Sequence, residues 1–236
     1  MTALMRSEFR KLRTTRTIYG FLAAMVLIGV VTVIDAPQAD ATSEWNKQQF
    51  VFFTSFLTRV LILVVGIRIV TDEFRHGTIV PTALTTPGRL RVLVAKLSTA
   101  AIAGFALATT AGIAMVATVL TVSELDGLRF DAGAIRVLAG FVAAGALWAV
   151  LGVGIGTLVR SPVLAIVGGL IWLMGIEEML KPNLGDLGDY LPGNAGLAMV
   201  VAPRWGLALT AASIFISFCV VVSSASAFAF ATRDID

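Results

Sequence analysis

Ile135 to Val159 reads IRVLAGFVAAGALWAVLGVGIGTLV, a run whose single charge, Arg136, stands at its second position. At 1.5 Å per residue, an apolar helix of this length covers a hydrocarbon core of about 30 Å. Further apolar blocks run over Ile18–Ile34, Phe50–Val70, Leu97–Val122, Val163–Ile176 and Trp205–Ala231. Hydrophobic residues make up 57% of the 236 and charged residues 14%, whereas a soluble domain carries about 25% charged. A single water-soluble domain is therefore excluded. The pieces between the blocks are too short to build cores of their own. The expectation is an all-α membrane protein, one domain over residues 1–236 with six transmembrane helices.

Basic residues sit where the blocks end. Arg6, Arg10, Lys11, Arg13, Arg16, Arg75, Arg89, Arg91, Lys96, Arg160 and Arg233 fall on one side. Lys47, Arg129, Arg136, Lys181 and Arg204 fall on the other. This bias predicts an N-in/C-in arrangement with both termini cytoplasmic, and six spans close consistently with it. The net charge of +3 then reads as a topology signal and a contact with membrane lipid, with no nucleic acid as partner. Arginine exceeds lysine alongside much Ala, Val and Gly, which points to a GC-rich bacterial genome. Ala39-Asp40-Ala41 has the form of a signal-cleavage site, but Ile18–Ile34 is longer than a usual signal core and reads as a retained anchor.

Within residues 1–17, Leu4, Met5, Phe9 and Leu12 oppose Arg6, Arg10, Lys11 and Arg13. That spacing predicts an amphipathic helix lying on the inner leaflet. Arg59 falls well inside the second block. A charge there costs at least about 2.5–3.5 kcal/mol unless it faces protein or water. It either lines a path or belongs to a structural ion pair. Residues 71–96 hold Gly77 and Pro87-Gly88 around a Thr-rich stretch, leaving room for one short helix near Thr78–Thr85. Such a piece is shaped to dock on a soluble partner, or only spaces two helices. Gly152 and Gly156 form a G-x-x-x-G pair suited to close helix packing.

The fifth block, Val163–Ile176, is too short to span the core and predicts that Lys181-Pro182 stops its helix near the outer boundary. Residues 177–204, rich in Gly and Pro around Ala195–Ala202, then read as an outer re-entrant or interfacial segment. Glu177 reads as an acid closing or lining an exit, coupled to Arg59. Glu178 reads as an ordinary helix end wetted by the interface.

The chain has no Gly-Lys pair and so no P-loop. One cysteine, Cys219, lies inside the sixth block and one histidine, His76, outside them, so no disulfide frame and no metal site are expected. Adjacent Glu177-Glu178 could suggest an intramembrane protease, but Pro182 stands where such enzymes resemble an arginine, and no histidine follows. No catalytic residue is expected.

Arg10-Lys11-Leu12-Arg13-Thr14-Thr15-Arg16-Thr17 resembles the start of bacterial type-2 ABC-transporter permeases. Glu73-Phe74-Arg75-His76-Gly77-Thr78-Ile79, then Pro87, Arg89 and Ala95-Lys96-Leu97, resembles their cytoplasmic loop. Glu177, Tyr190-Leu191-Pro192-Gly193 and the closing Arg233-Asp234 are similar too. The resemblance implies the membrane subunit of an ATP-driven exporter in the bacterial cytoplasmic membrane, not itself an enzyme. It implies that Glu73, Phe74, Arg75, His76, Gly77, Thr78, Pro81, Thr82 and Thr85 couple to an ABC ATPase subunit. ATP and Mg would be bound by two copies of that partner, and no cofactor by this chain. A second permease, identical or a similar sister chain, would complete the assembly. Arg59, Glu177 and Glu178 would lie near the path or its outer gate. An ATP-independent secondary carrier or channel for a small hydrophobic solute is the alternative.

Overall fold

The computed structural model describes residues 7, 8, 10, 11, 16–35, 44–77, 88–121 and 132–232, and every element among them is helical. The long helices are α1 (Arg16–Asp35), α2 (Glu44–Arg75), α3 (Arg89–Thr121) and α4 (Ala132–Val159). They are followed by α5 (Pro162–Leu184), a short α6 (Pro192–Val201) and α7 (Trp205–Thr232). Four of these, α3, α4, α5 and α7, are long and apolar enough to cross a membrane. Residues 7, 8, 10 and 11 are helical as well. At one end of the bundle, the loop end, α2 leads toward α3.

Two boundaries differ from the sequence reading. Residues 71–75 continue α2, and α3 begins at Arg89, so both flanks of the 71–96 loop are helical. Polar residues obscured this, because helices that rise out of an apolar layer lose the hydropathy signal while keeping their backbone bonds. Gly77 ends α2 at φ +64°, and Gly88 starts α3 at φ +101°, accepting from the Arg91 N–H at 3.0 Å. Left-handed backbone of this kind suits glycine.

The second correction concerns the fifth span. Pro182 does not stop the helix; it sits inside the last turn, and the helix runs on to Leu184. Only one backbone bond is forfeited that close to an end, and Asn183 donates its side-chain amide to the Met179 carbonyl at 2.7 Å. A π turn at Trp172–Ile176 precedes it. The span is 23 residues long, enough to cross at 1.5 Å each.

α4 is the centre, packing on α2, α3, α5, α6 and α7, while α1 lies against α2 and α3. Glycines set these distances. A Cβ on Gly152 would overlap the Leu63 carbonyl of α2, and one on Gly145 would lie 2.6 Å from Ala108 of α3. Gly156 faces Val70, Ile67 and Thr71 of α2. Without a hydrophobic drive between helices in lipid, such close contact supplies the attraction. The core between them includes Ile62, Ile67, Leu107, Trp148 and Phe215.

Replacing Gly152 by Leu is expected to cost about 1–3 kcal/mol or more, through overpacking against backbone. Gly168→Ala, where a Cβ meets nothing within 4 Å, is expected to be neutral or stabilising by up to about 1 kcal/mol. Thermal melts of both variants in mild detergent check the pair.

Candidate functional site

At the loop end, four charged side chains close a ring. Lys96 on α3 is 1% exposed, the largest fully buried side chain among the described residues. Its ammonium lies 2.7 Å from Glu73 of α2 and 3.1 Å from Glu8 of the N-terminal segment. Lys11 closes the circuit at 2.8 Å from each of the same two acids. Charges of opposite sign thus alternate around the ring, and three of the four are shielded from water. Buried pairs contribute little net stability, but removing one member leaves an uncompensated charge and costs about 3–5 kcal/mol.

Burial alone would raise the Glu8 pKa, but Lys96 and Lys11 outweigh it and hold the carboxyl below its ordinary 4.5. Burial would likewise lower Lys11, yet hydrogen bonds and attraction from Glu73 and Glu8 raise it above 10.5. The two signs define a window. The Glu8 contribution is present above pH 4.5 and lost as pH falls through its depressed value. The Lys11 contribution is present below pH 10.5 and lost as pH rises through its raised value.

Phe74, next to Glu73, is held from two other sides. Its ring meets Phe230 of α7 edge-on, with centroids 6.4 Å apart, and the Arg160 guanidinium lies 5.4 Å from its centre. Arg160 forms the turn between α4 and α5 at φ +58°. The end of α2 is therefore tied to the N-terminal segment, α3, the α4–α5 turn and α7. Of the expected loop residues, Glu73 is buried and Phe74 half-buried, whereas Arg75, His76 and Gly77 are exposed. His76 donates Nδ1–H to the Asp72 carbonyl at 2.6 Å. Thr78, Pro81, Thr82 and Thr85 lie outside the described residues.

A second cluster lies toward the other end. Glu177 is 3% and Arg59 6% exposed. Leu191, at the start of α6, has no side chain able to cap a helix, and Pro192 carries no N–H. Glu177 supplies the cap from α5: its Oε1 accepts the Asn194 N–H at 2.8 Å. Arg59 donates Nη1–H to the Gly193 carbonyl at 3.0 Å. That carbonyl and that N–H belong to one peptide unit, so cation and anion grip its two ends. Gly193 leaves room for this grip, since a Cβ would lie 2.6 Å from the Glu177 carboxylate and displace it. A carboxylate at a helix N-terminus is favourably placed, because the peptide dipoles leave positive charge there.

Asn194 fixes the same turn through its side chain, donating to the Gly188 carbonyl at 2.9 Å and accepting from Lys181 at 3.3 Å. Gly196 rests on the Trp148 ring, and Trp148 in turn packs on Phe215 with centroids 4.8 Å apart. A cavity of about 20 Å³ bordered by Thr58, Arg59 and Trp148 separates α2, α4 and α6. That volume admits one water. Glu178, by contrast, is exposed. Among the described residues no group of three or more His, Cys, Asp or Glu could hold a metal ion.

The sequence reading brought Arg59 and Glu177 together but missed the peptide between them, and with it Gly193 and Asn194. It also missed Glu8. The available signal was an acid alone among the basic residues of the N-terminal segment, opposite the acid and lysine of the loop.

These features describe a multi-pass helical membrane protein in which the end of α2 is tied to the N-terminal segment, α3, the α4–α5 turn and α7. Residues 4–175 match the family described as ABC-2 family transporter protein, and the chain belongs to that family, as a type-2 ABC permease. The match takes in the charge ring and Arg59; Glu177 and α6 follow it. No curated protein matches the chain.

Lys96→Met is expected to destabilise the chain by about 3–5 kcal/mol, because Glu8 and Glu73 then share Lys11 alone. In the unaltered protein, hydrogen-exchange protection at residues 7–11, taken relative to the intrinsic exchange rate at each pH, is expected to fall as pH drops below 4.5 and Glu8 protonates. Equal protection at pH 7 and pH 3 would dissolve the assigned role of the ring.

Proposed function

We propose that this permease is the membrane subunit of an ATP-driven exporter whose motor is a separate ABC ATPase. The observation that carries the reading is the charge ring. It ties Glu73, at the start of the loop, to the N-terminal segment and to α3. A push on the loop would be passed to several helices at once, which is what a motor outside the membrane requires. The chain has no P-loop, so ATP and Mg would be held by the partner, and the family membership favours such a partner.

In this reading six spans cross the bacterial cytoplasmic membrane with both termini inside. Residues 1–17 form the interfacial helix and 71–96 the coupling loop. Arg75, His76 and Gly77 offer the contact surface together with Thr78, Pro81, Thr82 and Thr85. Glu73 and Phe74 transmit from within. Residues 185–204, beyond the end of α5, would form the outer re-entrant segment, with α6 as its inner limb. Arg59 and Glu177 would latch that limb to α2 and α5, and Glu178 would face the outer interface. Opening an outward path would mean releasing both grips on the 193–194 peptide. Hydrogen bonds to charged groups contribute about 1.5–3 kcal/mol each, small enough for ATP-driven movement to overcome.

Two permeases and two ATPases would make the working unit. α5 supports pairing with a second copy or a sister chain: only 22% of its apolar window is buried, against 44% for α4. Its Val163, Leu164, Val167 and Ile171 are left to lipid or to another subunit.

The direct test is purification of the tagged chain from its own membranes in mild detergent, with mass spectrometry of its companions. A near-equimolar P-loop ATPase is expected. The chain alone, even after crosslinking, would return the reading to an ATP-independent carrier. Replacing residues 78–85 by a Gly/Ser linker, with Glu73 and Phe74 kept, is expected to abolish stimulated ATP hydrolysis without loss of insertion. Arg59→Ala is expected to weaken the latch by about 1.5–3 kcal/mol and to cut transport at normal expression. Loss of expression instead would make Arg59 a purely structural partner.

A further inference from the structure

Between α1 and α2, at the loop end, lies a groove of about 540 Å³ whose mouth borders the charge ring at Glu8, Lys11 and Glu73. Ile18 and Phe21 of α1 form one wall, and Val65 and Ile69 of α2 the other. Each wall places its residues three or four apart, hence on one helix face. The mouth is polar. Arg68 and Asp72 border it, paired at 3.0 Å with side chains 35% and 33% exposed, and Lys11 and Glu73 of the charge ring stand beside them. Specific ligand sites of about 300–1,000 Å³ have this make-up, apolar walls with a few placed polar groups.

We propose that this groove holds one zwitterionic glycerophospholipid of the adjoining leaflet, as a resident of the fold rather than as cargo. The walls continue into the apolar part of both helices, which suits an acyl chain. The mouth decides the head. Its cations are matched by acids, Arg68 by Asp72 and Lys11 by Glu8 and Glu73. A purely anionic head meets Asp72 and Glu73 as well as the cations, and gains little. A head with phosphate beside ammonium gives each member of the Arg68–Asp72 pair an opposite charge. Lipid in this position also abuts the ring that anchors the N-terminal segment, so its occupancy would steady the start of α1 against α2. The inference requires only that the chain is embedded in a bilayer. It does not depend on the export reading.

The test places a photoreactive benzophenone residue at position 21 in the full-length chain, in nanodiscs of equal phosphatidylethanolamine and phosphatidylglycerol. Intact-mass spectrometry then reads the adducts. The same residue at position 27, where Leu27 is 62% exposed on α1, reports the bulk lipid. Position 21 is expected to label phosphatidylethanolamine several-fold more than position 27 does. Ile69→Trp, which fills the groove, is expected to lower that adduct about tenfold, as excluding two or more methylenes should, and to leave labelling at 27 unchanged. Should Ile69→Trp not insert, the double variant Arg68→Gln with Asp72→Asn decides: loss of the enrichment supports the site, and its persistence overturns it. Adducts at 21 that follow the bulk ratio, favour phosphatidylglycerol, or join the chain to its own peptides would each overturn the proposal. No ATPase or transport enters the measurement, so its failure is distinct from failure of the proposed function.

Discussion

A charge taken out of water must find an opposite charge or an aligned dipole, and two positions in this chain force that requirement on everything around them. Lys96 is the largest fully buried side chain among the described residues, and its ammonium is neutralised by acids from two other segments. Arg59 is buried on α2 and donates to a backbone carbonyl of α6. Moving either helix alone would strand a charge, at a cost of several kcal/mol. The two clusters therefore fix which elements move together: the N-terminal segment with α2 and α3 at one end, α6 with α2 and α5 toward the other.

The close backbone approach of the central helices makes those pairings possible. Lys96 and Glu73 meet because α2 and α3 both lie along α4, and glycines at 66, 104, 145 and 152 let them do so. α6 lies close against the Glu177 carboxylate at position 193 and against the Trp148 ring at position 196, where neither residue carries a Cβ. Electrostatics and packing are thus one problem here. A small residue at each crossing brings a charged group within bonding distance of its partner, and the pairing then holds the crossing in register.

Under the proposed function, the consequence would be a route for mechanical work. Phe74 is set between Arg160 and Phe230, and Glu73 within the ring, so the end of α2 touches the layers that a conformational change would have to displace. The residues beyond it, Arg75, His76 and Gly77, are exposed and would be the part offered to the proposed soluble partner.

How much of this the sequence held can be judged residue by residue. Apolar blocks place helices because hydropathy and length are local properties, and ordered short motifs pointed to the family. Arg59 and Glu177 stood out because a charge in an apolar run is conspicuous. Boundaries were less legible: α2 and α3 extend past their apolar blocks, and Pro182 lies within a helix that the sequence ended before it. Helical bonds do not require apolar side chains, and proline in a final turn sacrifices little. Glu8, Lys96 and Asn194 could not be paired from local sequence, since their importance depends on what faces them across 88, 88 and 17 residues of chain respectively. The sequence by itself determined the solvent this protein lives in, its helices and its family. Only the tertiary structure decided which charges meet, because pairing is set by distance in space and the chain encodes that distance only through the packing of all its helices.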